Sequence, residues 1–142
     1  MSQNVDRIKY NVPKVIAVDF DGTCCDHEFP NIGKIKSGCK EALELFHQLG
    51  YKIIIWSCRT CSYMQDVFSP PEDLECAAAI DRNKVKEMKQ WLDANCIHYD
   101  EIDDGTKGKP VADFYIDDKA IRFSNNWVEI GNFIRYVSAR NA

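Results

Sequence analysis

Three short apolar runs in this 142-residue chain each end in oxygen-bearing side chains. Asp19 and Asp21 follow residues 15–18, Ser57 follows residues 53–56, and Asp117 and Asp118 follow residues 114–116. An apolar run without alternation suits a strand covered on both faces, as in a parallel sheet, and ligands of such sheets bind at the carboxyl ends of the strands. The five side chains are therefore expected at one rim. Converging carboxylates repel each other unless a cation lies between them. Hard divalent cations prefer oxygen ligands, and magnesium takes one or two carboxylates together with substrate phosphate and water. Lys109, on the loop that feeds the third strand, can balance the remaining charge of the carboxylates or of a bound phosphate; Lys107 competes for that role. Such a set suits phosphoryl transfer, which needs a nucleophile in line and stabilisation of charge on the equatorial oxygens. A carboxylate can itself attack and form an aspartyl-phosphate. Gly22 allows a backbone turn that a side chain would obstruct.

Helices must hold these strands in place. Ile35, Cys39, Leu43, Phe46 and Leu49 recur at helical spacing, with Gly50 as the residue past the end. Residues 51–56 read as the second strand. Residues 60–80 show no periodicity and contain Pro70-Pro71, so an irregular loop or a small lid is expected. Val85, Met88, Trp91 and Leu92 resume the helical pattern, with Asp81 as N-cap and Asn95 as stop. Residues 99–102 suit a short strand, 104–110 a loop, and 121–123 a further short strand. Trp127, Ile130, Ile134 and Val137 mark a last helix, with Trp127 read as core. Strands alternating with helices predict an α/β fold, a Rossmann-like three-layer sandwich with a mainly parallel sheet and right-handed crossovers. The length suits one domain over residues 1–142.

Residues 15–23, VIAVDFDGT, resemble the first motif of the haloacid dehalogenase-like superfamily, an apolar strand followed by DxDGT. Residues 53–57, IIIWS, resemble the second motif, Lys109-Pro110 the third-motif lysine, and residues 114–118, FYIDD, the fourth motif in its plain DD form. The four occur in the superfamily's order over residues 15–118. DxDGT alone arises by chance in a chain of this length with probability of roughly 2 in 1,000. The resemblance implies a magnesium-dependent phosphomonoester hydrolase. Asp19 would be nucleophile and magnesium ligand. Asp21 would protonate the leaving oxygen and then activate water, its main-chain carbonyl ligating the metal. Ser57 would hydrogen-bond the phosphoryl oxygens, and Lys109 would pair with the phosphoryl group and Asp19. Asp117 would hold magnesium, and Asp118 would ligate through water or orient its neighbours.

Many members of the superfamily carry a cap, inserted after the first motif or between the second and third. Residues 24–34 are too few for more than a short flap, and 60–80 for more than a loop, a short helix or a small lid. The chain thus resembles the small capless bacterial and phage hydrolases of the superfamily. An open site admits a phosphorylated small molecule or a polysaccharide precursor, and a homo-oligomer could complete the lid. His27, Tyr63, Met64 and Phe68 are candidate rim residues.

Composition narrows the choice. With 45% hydrophobic and 28% charged residues the chain is an ordinary globular one, and no apolar run nears the roughly 18 residues of a membrane span. Its net charge of −4 argues against coating nucleic acid or anionic membrane. Nucleic acid is expected only as a phosphorylated end or nucleotide. The polar start MSQNVDRIKY predicts no secretory leader. Seven cysteines, an odd number, predict free thiols and a cytoplasmic setting. The single pair Cys58 and Cys61 and three scattered histidines do not make the usual zinc set. Other readings stand beside the hydrolase: a non-catalytic phosphate-binding or regulatory module on the same fold, and a receiver domain. In a receiver the acceptor aspartate ends a middle strand, which here ends in Trp56-Ser57. Arg59 meets either a substrate anion or a structural salt-bridge partner.

Overall fold

A computed structural model describes residues 14–60 and 74–141. In chain order it contains β1 (Val15–Asp19), α1 (Cys39–Gln48), β2 (Lys52–Trp56), a 3-10 turn (Cys58–Thr60), α2 (Leu74–Ala94), β3 (Glu101–Ile102), β4 (Phe114–Ile116) and α3 (Trp127–Arg140). Among the described residues the strands form one sheet in the order β3-β2-β1-β4, every pair parallel. The fold is an α/β Rossmann-like sandwich, as the alternating pattern predicts.

The two central strands explain this order. Ile16, Ala17 and Val18 of β1 and Ile53, Ile54 and Ile55 of β2 are all buried, so neither strand has a face that tolerates water. The core continues through Phe20, Leu43 of α1, Met88 and Leu92 of α2, and Ile97. Met88 and Leu92 are four apart and share one helix face. Each such buried side chain contributes about 1.5–3 kcal/mol. The Phe20 ring meets Trp91 edge-on at 5.3 Å.

Two carboxylates pin the start of the sheet. The Val15 N–H donates to Asp113 Oδ2 at 2.8 Å, and the Ile53 N–H donates to Asp100 Oδ2 at 2.7 Å. These acids satisfy strand backbone at the end opposite Asp19.

Several boundaries differ from the expectation. α1 starts at Cys39, because Ile35 is taken by a bridge to Cys25 and Gly38 turns left-handed at φ 85°. α2 already runs at Leu74, so residues 74–80 are helical and Asp81 is interior, not an N-cap. The run of alanines at 77–79 favours helix by propensity while leaving no periodic signal. The rest of the expected lid, 61–73, with Tyr63, Met64 and Phe68, lies outside the described residues. α2 stops at Ala94, beside the expected Asn95, and Cys96 follows in the left-handed region at φ 57°. Residues 121–123 are not a strand; Ile121 and Phe123 are exposed on an irregular segment that turns at Asn125, φ 59°. Trp127, read as core, is 73% exposed, and α3 carries no buried residue. Apolar spacing defines a helix face but not what lies against it.

Cys24, Cys25, Cys39 and Cys96 are free thiols. Among the described residues no helix is long and apolar enough to cross a membrane.

Candidate functional site

The register of the sheet brings the acidic residues together. Asp19 lies opposite Trp56, the residue before Ser57, and Val18 lies opposite Ile116, the residue before Asp117. All three chemically equipped segments therefore leave the sheet on one rim. Beyond Asp19 the chain turns tightly. The Phe20 N–H donates to Trp56 O at 3.1 Å, the Cys24 N–H returns to Phe20 O at 2.9 Å, and the Gly22 N–H donates to Cys25 O at 2.8 Å. Phe20 goes fully into the core between the two aspartates and anchors the turn. Gly22 has φ 85° and sits against the Asp118 carboxylate, where an added Cβ would collide. The glycine thus serves both the turn and the approach of Asp118.

One carboxylate oxygen each from Asp19, Asp117 and Asp118 lies within 4.8 Å of the others. Burial and the neighbouring Asp117 charge push the Asp19 carboxyl up to about 7, with Asp118 adding to the rise and a hydrogen bond from the Phe20 N–H opposing it. The Thr23 hydroxyl also donates to Asp19 Oδ2 at 3.4 Å. An all-oxygen donor set under mutual repulsion, drawn that close, fits a hard divalent cation such as magnesium.

Asp21 takes a different part. Its carboxylate accepts a fork from Arg59, Nε to Oδ2 at 2.6 Å and Nη2 to Oδ1 at 2.7 Å. The Ser57 hydroxyl donates to Asp21 Oδ2 at 3.4 Å and accepts from the Arg59 N–H at 3.1 Å. Arg59 also donates to Pro30 O at 2.8 Å and to Asn31 O. Of the two fates open to Arg59 on sequence, the salt bridge is the one observed.

These groups line a cavity of about 360 Å³, within the range of small-molecule sites. Asp19, Asp21, Ser57, Asp117 and Asp118 all border it, and His27, Phe29 and Lys119 complete the wall. Lys109 does not line it. Its ammonium lies over the Tyr115 ring at 4.3 Å, beside a wider groove of about 980 Å³ along β4. Lys107 pairs with Glu101 at 3.4 Å. The cations on the cavity wall are instead Arg59, which is committed to Asp21, and Lys119, two residues past Asp117, where the same strand-end logic would have found it.

No family model and no curated protein matches the chain. Two solved structures do. A conserved protein from Bacteroides thetaiotaomicron shares 23% identity over 88% of this chain and 92% of its own, with a TM-score of 0.51. A crystallised target protein from Vibrio cholerae shares 28% identity over 87% of this chain and 98% of its own, with a TM-score of 0.50. What these likenesses carry is the α/β fold over nearly the whole chain.

Proposed function

We propose that the chain is a magnesium-dependent phosphomonoester hydrolase of the haloacid dehalogenase-like type, acting in the cytoplasm on a phosphorylated small molecule or polysaccharide precursor. The convergence of Asp19, Asp117 and Asp118 at the carboxyl rim of a parallel sheet, beside a cavity that also contains Asp21, carries this reading. The cation would be held by Asp19, Asp117 and the Asp21 carbonyl, with Asp118 in support. When bound it would neutralise charge on the phosphoryl oxygens.

In the proposed reaction an Asp19 oxygen attacks phosphorus, the bond to the leaving oxygen breaks, and Asp21 gives that oxygen a proton. Asp21 then takes a proton from water, which attacks the aspartyl-phosphate and releases inorganic phosphate with Asp19 restored. Ser57 and Lys119 border the cavity where phosphoryl oxygens would sit. Lys119 replaces Lys109 in this reading, because it lies on the wall and Lys109 does not.

Hydrolysis of 4-nitrophenyl phosphate tests the proposal. Turnover is expected with magnesium, none after chelation, and a loss of at least about a thousandfold in Asp19→Asn with the fold retained. Undiminished turnover in that variant would discard the mechanism. The second reading, a phosphate-binding module without turnover, draws on one observation, the engagement of both Asp21 oxygens by Arg59. It predicts phosphate binding by the intact chain and no release of nitrophenol.

A further inference from the structure

The tip of the segment after the first motif is gripped by Arg59. The Asp26 N–H donates to Lys34 O at 2.8 Å, and Cys25 bridges antiparallel to Ile35, so residues 25–35 fold back on themselves as a small flap. Gly33 lies against the Asp26 backbone so closely that a Cβ would not fit. At the tip the Asn31 N–H closes a turn onto Glu28 O at 2.9 Å. His27 and Phe29 of this flap face the acidic cavity.

Arg59 grips the tip and Asp21 at once. Nη1 and Nη2 hold the carbonyls of Pro30 and Asn31, while Nε and Nη2 hold both oxygens of Asp21. The guanidinium lies over the Phe29 ring at 4.9 Å, and its side chain is 1% exposed. A buried guanidinium with four of its five N–H donors on protein acceptors has little left for catching a substrate anion, although it borders the cavity. Its planar fork is what a shared grip on a carboxylate and two carbonyls requires, and an ammonium cannot reproduce it.

We propose that Arg59 is a positioning residue that locks the flap tip and the Asp21 carboxylate into one unit, so that the flap sets where Asp21 meets the leaving group. The proposal rests on the hydrolase reading for its catalytic consequence and on geometry alone for the lock. With the lock intact, Asp21 is held on the cavity wall beside the flap that carries His27 and Phe29. With the lock broken, the flap and Asp21 move independently. Attack by Asp19 persists, but proton delivery to the leaving oxygen is lost. Substrates with basic leaving groups then suffer more than those with acidic ones.

Two readouts on the full chain test this. In Arg59→Lys, kcat for phenyl phosphate should fall at least about tenfold more than kcat for 4-nitrophenyl phosphate, with KM for both nearly unchanged. Amide hydrogen exchange of residues 26–32 should speed up by at least about tenfold while residues 16–18 of β1 keep their protection. Equal losses on both phosphates, or a gain on both, would overturn the catalytic part. Unchanged flap exchange would overturn the lock. If the wild-type chain hydrolyses neither phosphate, the hydrolase reading fails separately and the exchange arm still decides the lock. If Arg59→Lys does not fold, Asp21→Asn breaks the same fork from the other side, and flap exchange no faster than wild type in that variant overturns the proposal.

Discussion

At the scale of single residues, the site is defined by carboxylates that are costly to hold together. Asp19 is raised from 3.8 to about 7, so the folded chain binds this proton more tightly than the unfolded chain does. Its favourable contribution is complete below pH 3.8 and is lost as pH rises towards 7. In chelator, Asp19→Asn should therefore exceed wild type by more at pH 8 than at pH 5, the gain widening by about 1–2 kcal/mol between the two after discounting for partial exposure. Thermal unfolding at the two pH values checks this, and no gain at pH 8 would mean that the Asp19 charge is not crowded. Gly22→Ala should act on the same cluster from behind. A left-handed alanine costs about 1 kcal/mol, and its methyl would push Asp118 away. Magnesium affinity by calorimetry should fall about tenfold, and adding Asp118→Ala should weaken it little further. The aspartates were legible because each ends an apolar run. Position on a loop and the resemblance of Lys109-Pro110 to the third motif point to Lys109, whereas its ammonium lies over the Tyr115 ring. The Arg59 fork was not legible, since its partners lie 28, 29 and 38 positions away and no local pattern links them.

At the scale of elements, legibility follows burial. β1 and β2 are covered on both faces, and their uninterrupted apolar runs mark them almost residue by residue. Where burial fades, so does the pattern. The first turns of α2 rest on alanines whose propensity needs no periodicity, and Ile121 and Phe123 are apolar but pair with no strand among the described residues. α3 is the extreme case. It has apolar residues at helical spacing, yet Trp127, Val128, Phe133 and Ile134 are exposed. A 14-residue helix with no buried residue has little beyond its own backbone bonds to hold it. Its amides should exchange at least about a hundredfold faster than those of residues 16–18 in β1. Protection equal to that of β1 would show instead that another surface covers this face in solution.

At the scale of the whole molecule, charge is distributed by strand direction. Asp100 and Asp113 cap strand backbone at one end of the sheet, where hydrogen bonds absorb their charge. Asp19, Asp117 and Asp118 gather at the other end, and the chain as a whole is already negative at −4. A divalent cation at that rim would relieve local repulsion and reach only the folded state, so it should stabilise by mass action. At a concentration one hundred times its dissociation constant the gain is about 2.7 kcal/mol, which for a chain of this size raises Tm by roughly 5–10 °C. Protons compete for Asp19, so at a fixed magnesium concentration the rise should be larger at pH 8 than at pH 5.5, with the change centred near 7. Calorimetric scans with and without magnesium at both values, on wild type and Asp117→Ala, separate this from general screening. The same ionic strength supplied as sodium chloride should give little rise, and the variant should lose most of the magnesium effect. A rise independent of both pH and Asp117 would place the cation elsewhere and leave the acidic rim without the role assigned to it.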